Sequence, residues 1–124
     1  MGIEERLETA VVFDTRRLDE LLTFLGDEGA MIVEEILAAY LASAPRLVAR
    51  IDDGRATGNL VTIRDAAHTL KSSSTNVGAI ALGQLCDLTE RAARLGDAGM
   101  AIEHGGEIAA LYEETVRQIE SWWT

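Results

Sequence analysis

His68 is one of two histidines in the chain, and basic and hydroxyl side chains recur around it at helical spacing. Arg64 stands four residues before it and Lys71 three after, with Ser72 and Thr75 beyond. On a helix turning about 100° per residue, Leu60, Ile63, Ala66, Ala67, Leu70 and Ser74 gather on one side, which must face a core. His68 falls well off that stripe and should reach solvent, with Arg64, Lys71, Ser72 and Thr75 on its flank. Residues three or four apart on a helix are surface neighbours, about 5–6 Å from one another at Cβ. A neutral imidazole, with an ordinary pKa of about 6.5, is a good nucleophile at neutral pH. A phosphoryl group taken on it would bring up to about two negative charges. Lys71 is spaced to neutralise part of that charge with a compact, mobile ammonium. Ser72 and Thr75 offer hydroxyls, and small Ser72 leaves the approach open. Spacing alone does not separate this chemistry from a histidine that is merely solvated.

The other candidate groups read as structural. His104 lies four residues before Ile108, on the apolar side of the last helical pattern, and is expected to be partly buried. Cys86 is the only cysteine, so no intramolecular disulfide is possible. Set between Leu85 and Asp87, it reads as a small buried hydrophobe. No short ligand spacing joins His68, His104 and Cys86, so no metal site is expected. There is no Walker-type loop and no GxGxxG, so the chain should not phosphorylate itself from ATP.

The elements that position these residues are helices. Leu18, Leu21, Leu22 and Leu25 form the stripe of a short helix over about 14–25, capped by Asp14 and ended by Gly26, Asp27 and Gly29. A second helix, about 30–53, carries Val33, Ile36, Leu37, Tyr40, Leu41, Ala44, Leu47, Val48 and Ile51. Its stripe keeps register across Pro45, which predicts one kinked helix ended by Gly54 and Gly58. Asn59 caps a third, about 60–75, that bears His68. A fourth, about 79–95, turns Leu82, Leu85, Leu88, Ala92 and Leu95 inward and stops at Gly96. A fifth, about 98–122, uses Ile108, Leu111, Tyr112, Val116, Ile119 and Trp122, with Gly105 and Gly106 weakening its first half. Trp122 should close the core, and Trp123, if exposed, would offer a contact for a partner. Short connections make sequential helices antiparallel. The expected fold is all-α, an up-and-down antiparallel four-helix bundle with a short extra N-terminal helix packed across one end.

Composition agrees. The 124 residues fit one domain, 1–124, and 48% apolar content with a single proline favours a helical core. A formal charge of −10 argues against nucleic acid and against anionic membrane surfaces. Neither a signal peptide nor a myristoylation pattern is read in MGIEERLE, where position 6 is Arg, and the longest apolar run, Ile36 to Ala42, is too short to span a bilayer. A cytoplasmic, stand-alone chain is expected.

The stretch AAHTLKSSSTNVGAIALGQLCDLTE, Ala66 to Glu90, resembles the histidine-containing phosphotransfer (HPt) domain family of two-component phosphorelays. The matching features are His68, Leu70, Lys71, Ser73, the Gly78–Ala79 pair, Leu82, Leu85, Cys86 and Glu90, in ungapped spacing. The apolar helix Ile36 to Ile51, with its proline, resembles the one that precedes this motif, so the likeness extends from about Phe24 onward. The resemblance implies a four-helix bundle with His68 as the exposed phosphoacceptor and Lys71 as the cation beside it. It also implies Glu90 as a hydrogen-bonding neighbour. The family usually has Gly after the lysine, where this chain has Ser72. The implied function is relay of a phosphoryl group between aspartates of response-regulator receiver domains through a phosphohistidine. The implied partners are those receivers and a hybrid histidine kinase. No cofactor is expected on this chain, since the assisting divalent metal would belong to the receiver. Val61, Ala79 and Gly83 are expected to offer apolar contact around His68. The alternatives are a receiver-binding module of the same fold with little phosphotransfer, or a structural helical adaptor.

Overall fold

Apolar stripes interrupted by glycine and polar caps divide the described residues, 11–123 of this computed structural model, into six helices. They are α1 (Arg16–Leu25), α2 (Asp27–Thr57), α3 (Leu60–Val77), α4 (Ile80–Arg94), α5 (Ala98–Gly105) and α6 (Ile108–Trp122). The sequence readings of residues 1–10 lie outside the described residues. Helices α2, α3, α4 and the α5–α6 pair make the four-helix bundle, with α1 as the short extra helix.

Several boundaries move from expectation. Asp27 and Gly29 do not end α1; they begin α2, and Gly26 alone makes the turn at φ 57°. Asp14 does not cap through the usual position; its carboxylate accepts from the Arg16 amide at 3.0 Å, and Thr15 stands at the N-cap. α1 packs on the first turns of α2 and reaches the C-terminal end of α3, where Arg17 donates to Asn76 Oδ1 at 3.4 Å. On α2, Gly29 meets the backbone of Leu21 and Leu22 so closely that a Cβ would collide with it. Leu25, the last residue of that short helix, is left exposed. α2 runs unbroken through Pro45 and through Gly54, ending at Gly58 in the left-handed region. Ile63 packs where a Gly54 side chain would stand, so that glycine is a contact with α3 rather than a stop.

The expected fifth helix is two. Gly106 donates to Ile102 O at 3.0 Å and Glu107 to His104 O at 3.1 Å, and the chain restarts at Ile108. Arg55 of α2 fills the break. Its Nε donates to the Ile102 carbonyl at 2.9 Å, a second bond on the acceptor that Gly106 already uses. Side chains at Gly105 or Gly106 would run into that guanidinium arm.

One core joins Leu18, Val33, Leu37, Tyr40, Ile51, Leu70, Leu82, Leu85, Ile108 and Ile119. The residues flanking α4 depart from the stripe. Leu95, past the last turn of α4 and before Gly96, is 84% exposed rather than inward. Trp122 packs edge-on against Phe13, with ring centroids 5.6 Å apart. Trp123 is half-buried against Trp122 rather than exposed. Inside the core, the Tyr40 hydroxyl and Ser74 Oγ are 2.8 Å apart and pin α2 to α3. Burial pushes the Tyr40 phenol far up, so this pair stays neutral. Tyr40→Phe strands the Ser74 hydroxyl and should cost about 1–3 kcal/mol in urea unfolding. Adding Ser74→Ala should recover part of that loss, which a double-mutant cycle measures.

Candidate functional site

α3 and α4 run antiparallel, joined through Gly78 and Ala79. Gly78 takes φ 95° and its carbonyl accepts from Asp14 N at 2.7 Å, with the Asp14 backbone filling the space of a Cβ. Asn59 caps α3, its side chain accepting from Thr62 N at 3.1 Å. A Cβ on Gly83 would stand 2.7 Å from Thr75 Oγ1, so the two helices approach closely there. That approach brings Glu90, two turns further along α4, against His68 and Lys71.

The His68 side chain is 58% exposed, while Glu90 beside it is only 3% exposed. His68 Nδ1 lies 3.1 Å and 3.2 Å from the two Glu90 oxygens. Lys71 Nζ donates to Glu90 Oε1 at 2.6 Å and Arg94 to Oε2 at 2.6 Å. Lys71 also reaches Asp87 at 3.4 Å, and Asp87 pairs with Arg91 at 3.0 Å. Burial raises the Glu90 carboxyl, but hydrogen bonds from Lys71 and His68 outweigh it, and the net shift is downward. The same bond to Glu90 raises Lys71 above its ordinary value, so the ammonium stays charged.

An ionised carboxylate only accepts hydrogen bonds. Glu90 therefore selects the tautomer with the proton on Nδ1 and leaves the Nε2 lone pair free. The result is a nucleophilic nitrogen held in orientation from behind.

The other sequence-predicted residues are placed differently. Arg64 Nε pairs with its neighbour Asp65 at 3.0 Å rather than turning to His68. Ser72 is exposed, and its hydroxyl donates to His68 O at 3.3 Å. Thr75 is exposed two turns beyond His68 and lies against Gly83. Val61 is 55% exposed two turns before His68. Ala79 and Gly83 are buried, so they form no docking surface. At Gly83 the cause is the close approach of α4 to α3, where a Cβ would meet Thr75 Oγ1. His104 is buried in α5. Cys86 is fully buried, and burial pushes its thiol up to about 12, so it is no nucleophile. Among the described residues, no group of three or more His, Cys, Asp or Glu is placed to hold a metal ion, and no helix is long and apolar enough to cross a membrane.

Asp87, Arg91 and Arg94 were missed in the sequence. Their signal was present: Asp87–Arg91 and Glu90–Arg94 are acid-to-base pairs at i, i+4 on one helix. Nothing in that local spacing says that His68 lies across from them.

The Hpt domain family model matches residues 35–122. The crystal structure of histidine-containing phosphotransfer protein B (HptB) from Pseudomonas aeruginosa PAO1 superposes with a TM-score of 0.78 at 21% identity. That match covers 93% of this chain and 96% of the other. No curated protein matches this chain.

A group whose folded pKa is lowered lends stability above its unfolded pKa, and that stability is lost as pH falls. For Glu90 the loss should begin below its ordinary value of 4.5. In Glu90→Gln, the fall of unfolding free energy over the acid range should be shallower than in the native chain, as read by urea titration at stepped pH.

Proposed function

We propose that this chain, which belongs to the Hpt domain family of two-component phosphotransfer, accepts a phosphoryl group on Nε2 of His68 and hands it on to an aspartate. The observation that carries this reading is the exposed imidazole whose Nδ1 faces a buried, ionised Glu90.

The electron balance follows from that arrangement. The Nε2 lone pair attacks phosphorus of an aspartyl phosphate on a receiver domain. The P–O bond to that aspartate breaks, and its carboxylate leaves with the electron pair. Nδ1 keeps its proton, so the phosphorylated ring carries positive charge, which Glu90 offsets across a 3.1 Å bond. Return transfer reverses the step: a second receiver's carboxylate attacks phosphorus, the N–P bond breaks and its electron pair returns to Nε2. The neutral ring is then restored in the tautomer Glu90 prefers.

Lys71 is the nearest cation on the helix of His68, and its Nζ shares Glu90 Oε1 with the ring. It supplies positive potential to the phosphoryl oxygens while remaining tied to Glu90. The divalent metal that assists such transfers belongs to the receiver. Val61, exposed on the flank of His68, supplies apolar contact for a receiver covering the site. The partners are receiver domains and a hybrid histidine kinase, and the chain acts in the cytoplasm.

His68→Gln should abolish labelling by a phosphorylated receiver while leaving the helical circular-dichroism signal intact. Labelling that persists in this variant refutes His68 as acceptor. Lys71→Ala should slow loading of His68 from a phosphorylated receiver by about tenfold or more, because it removes positive potential from the incoming phosphoryl group and loosens Glu90 together. Single-turnover transfer kinetics give the comparison, and native rates would remove Lys71 from the mechanism.

A further inference from the structure

A phosphoryl group on His68 needs hydrogen-bond donors that are not already spent. Helical side chains lean toward the N-terminus, so a residue one turn after His68 covers it and a residue one turn before does not. The partners agree with this rule. Arg64, one turn before, holds Asp65 through Nε, and Lys71 donates to both Glu90 and Asp87. Ser72 differs from both. It is exposed, and its hydroxyl lies over the His68 turn, donating to His68 O across a long 3.3 Å. That carbonyl already accepts the Ser72 amide within the helix. The hydroxyl bond is therefore supplementary, and releasing it leaves no backbone group unpaired.

We propose that the Ser72 hydroxyl turns from the His68 carbonyl to the phosphoryl group on Nε2, and that this bond prolongs the phosphorylated state. The inference rests on the reading of His68 as phosphoacceptor. A hydroxyl bonded to an anionic oxygen makes a short, charge-assisted hydrogen bond. The bound phosphoryl group carries up to about two negative charges, and in the loose transition state it moves toward singly charged metaphosphate. The donor thus holds the ground state more tightly than the transition state. Both spontaneous hydrolysis and onward transfer slow as a result. In hydrolysis, water attacks phosphorus, the N–P bond breaks, its electron pair returns to Nε2 and inorganic phosphate leaves.

The test uses the full chain, labelled chemically with phosphoramidate so that no partner is needed, and follows decay of the phosphorylated protein by phosphorus NMR. Ser72→Ala keeps the helix and removes only the hydroxyl. It should shorten the half-life by about threefold to tenfold, the effect of one such bond lost. Ser72→Thr restores the hydroxyl and should decay within about twofold of the native chain. Equal half-lives for the native chain and Ser72→Ala overturn the proposal. So does a Thr variant that decays as fast as the Ala variant, since the hydroxyl is then not the cause. Label that survives His68→Gln overturns the phosphoacceptor reading and this proposal with it. A half-life insensitive to Ser72 on a protein labelled only at His68 overturns the proposal alone.

Discussion

One carboxylate organises the chemistry of this surface. Glu90 is almost wholly enclosed yet ionised, because an imidazole, an ammonium and a guanidinium converge on its two oxygens. An unpaired charge at that depth would be costly, so Lys71 and Arg94 are structural requirements of the site as well as charges near it. The orientation of His68 follows from the same constraint. Its ring stands mostly in water and would otherwise be free to turn, but the anion beneath it fixes which nitrogen faces inward.

The bundle exists to bring that anion within reach. Glu90 sits on α4 and His68 on α3, and 22 residues separate them. Two glycines set the distance between the helices. Gly78 lets the chain reverse against the Asp14 backbone, and Gly83 lets α4 approach Thr75 without a side chain between them. On the opposite flank of α3, the buried Tyr40–Ser74 pair ties the same helix to α2. α3 is thus held from two sides while its third flank, bearing His68, remains open.

Much of this was legible in the order of residues. The period of apolar positions gave the helices and placed His68 in solvent, because burial on one side of a helix dictates exposure on the other. What lay beyond reach was contact between segments. The partner of Ser74 is 34 residues away and that of Arg55 Nε is 47 away, at Ile102. Helical periodicity carries no information about such separations. Gly105 and Gly106 were legible as a weak point, but Arg55 at the Ile102 carbonyl turns a weak point into a break. Ala79 and Gly83 were misplaced for a related reason. A small residue at the edge of a wheel can mean an open surface or a close helix crossing, and only the neighbouring helix decides which.

The pairing around Glu90 also sets the electrical identity of the surface. Lys71, Arg91 and Arg94 face Asp87 and Glu90, three cations against two anions, so the patch is nearly balanced within a chain of formal charge −10. A phosphoryl group, with its charge of about −2 set against the positive ring that bears it, would erase that small positive surplus. Loaded and empty forms would then present different potentials at the same spot. A visiting domain could sense occupancy through long-range attraction or repulsion before any atoms touch, and the distinction would fade as ionic strength rises.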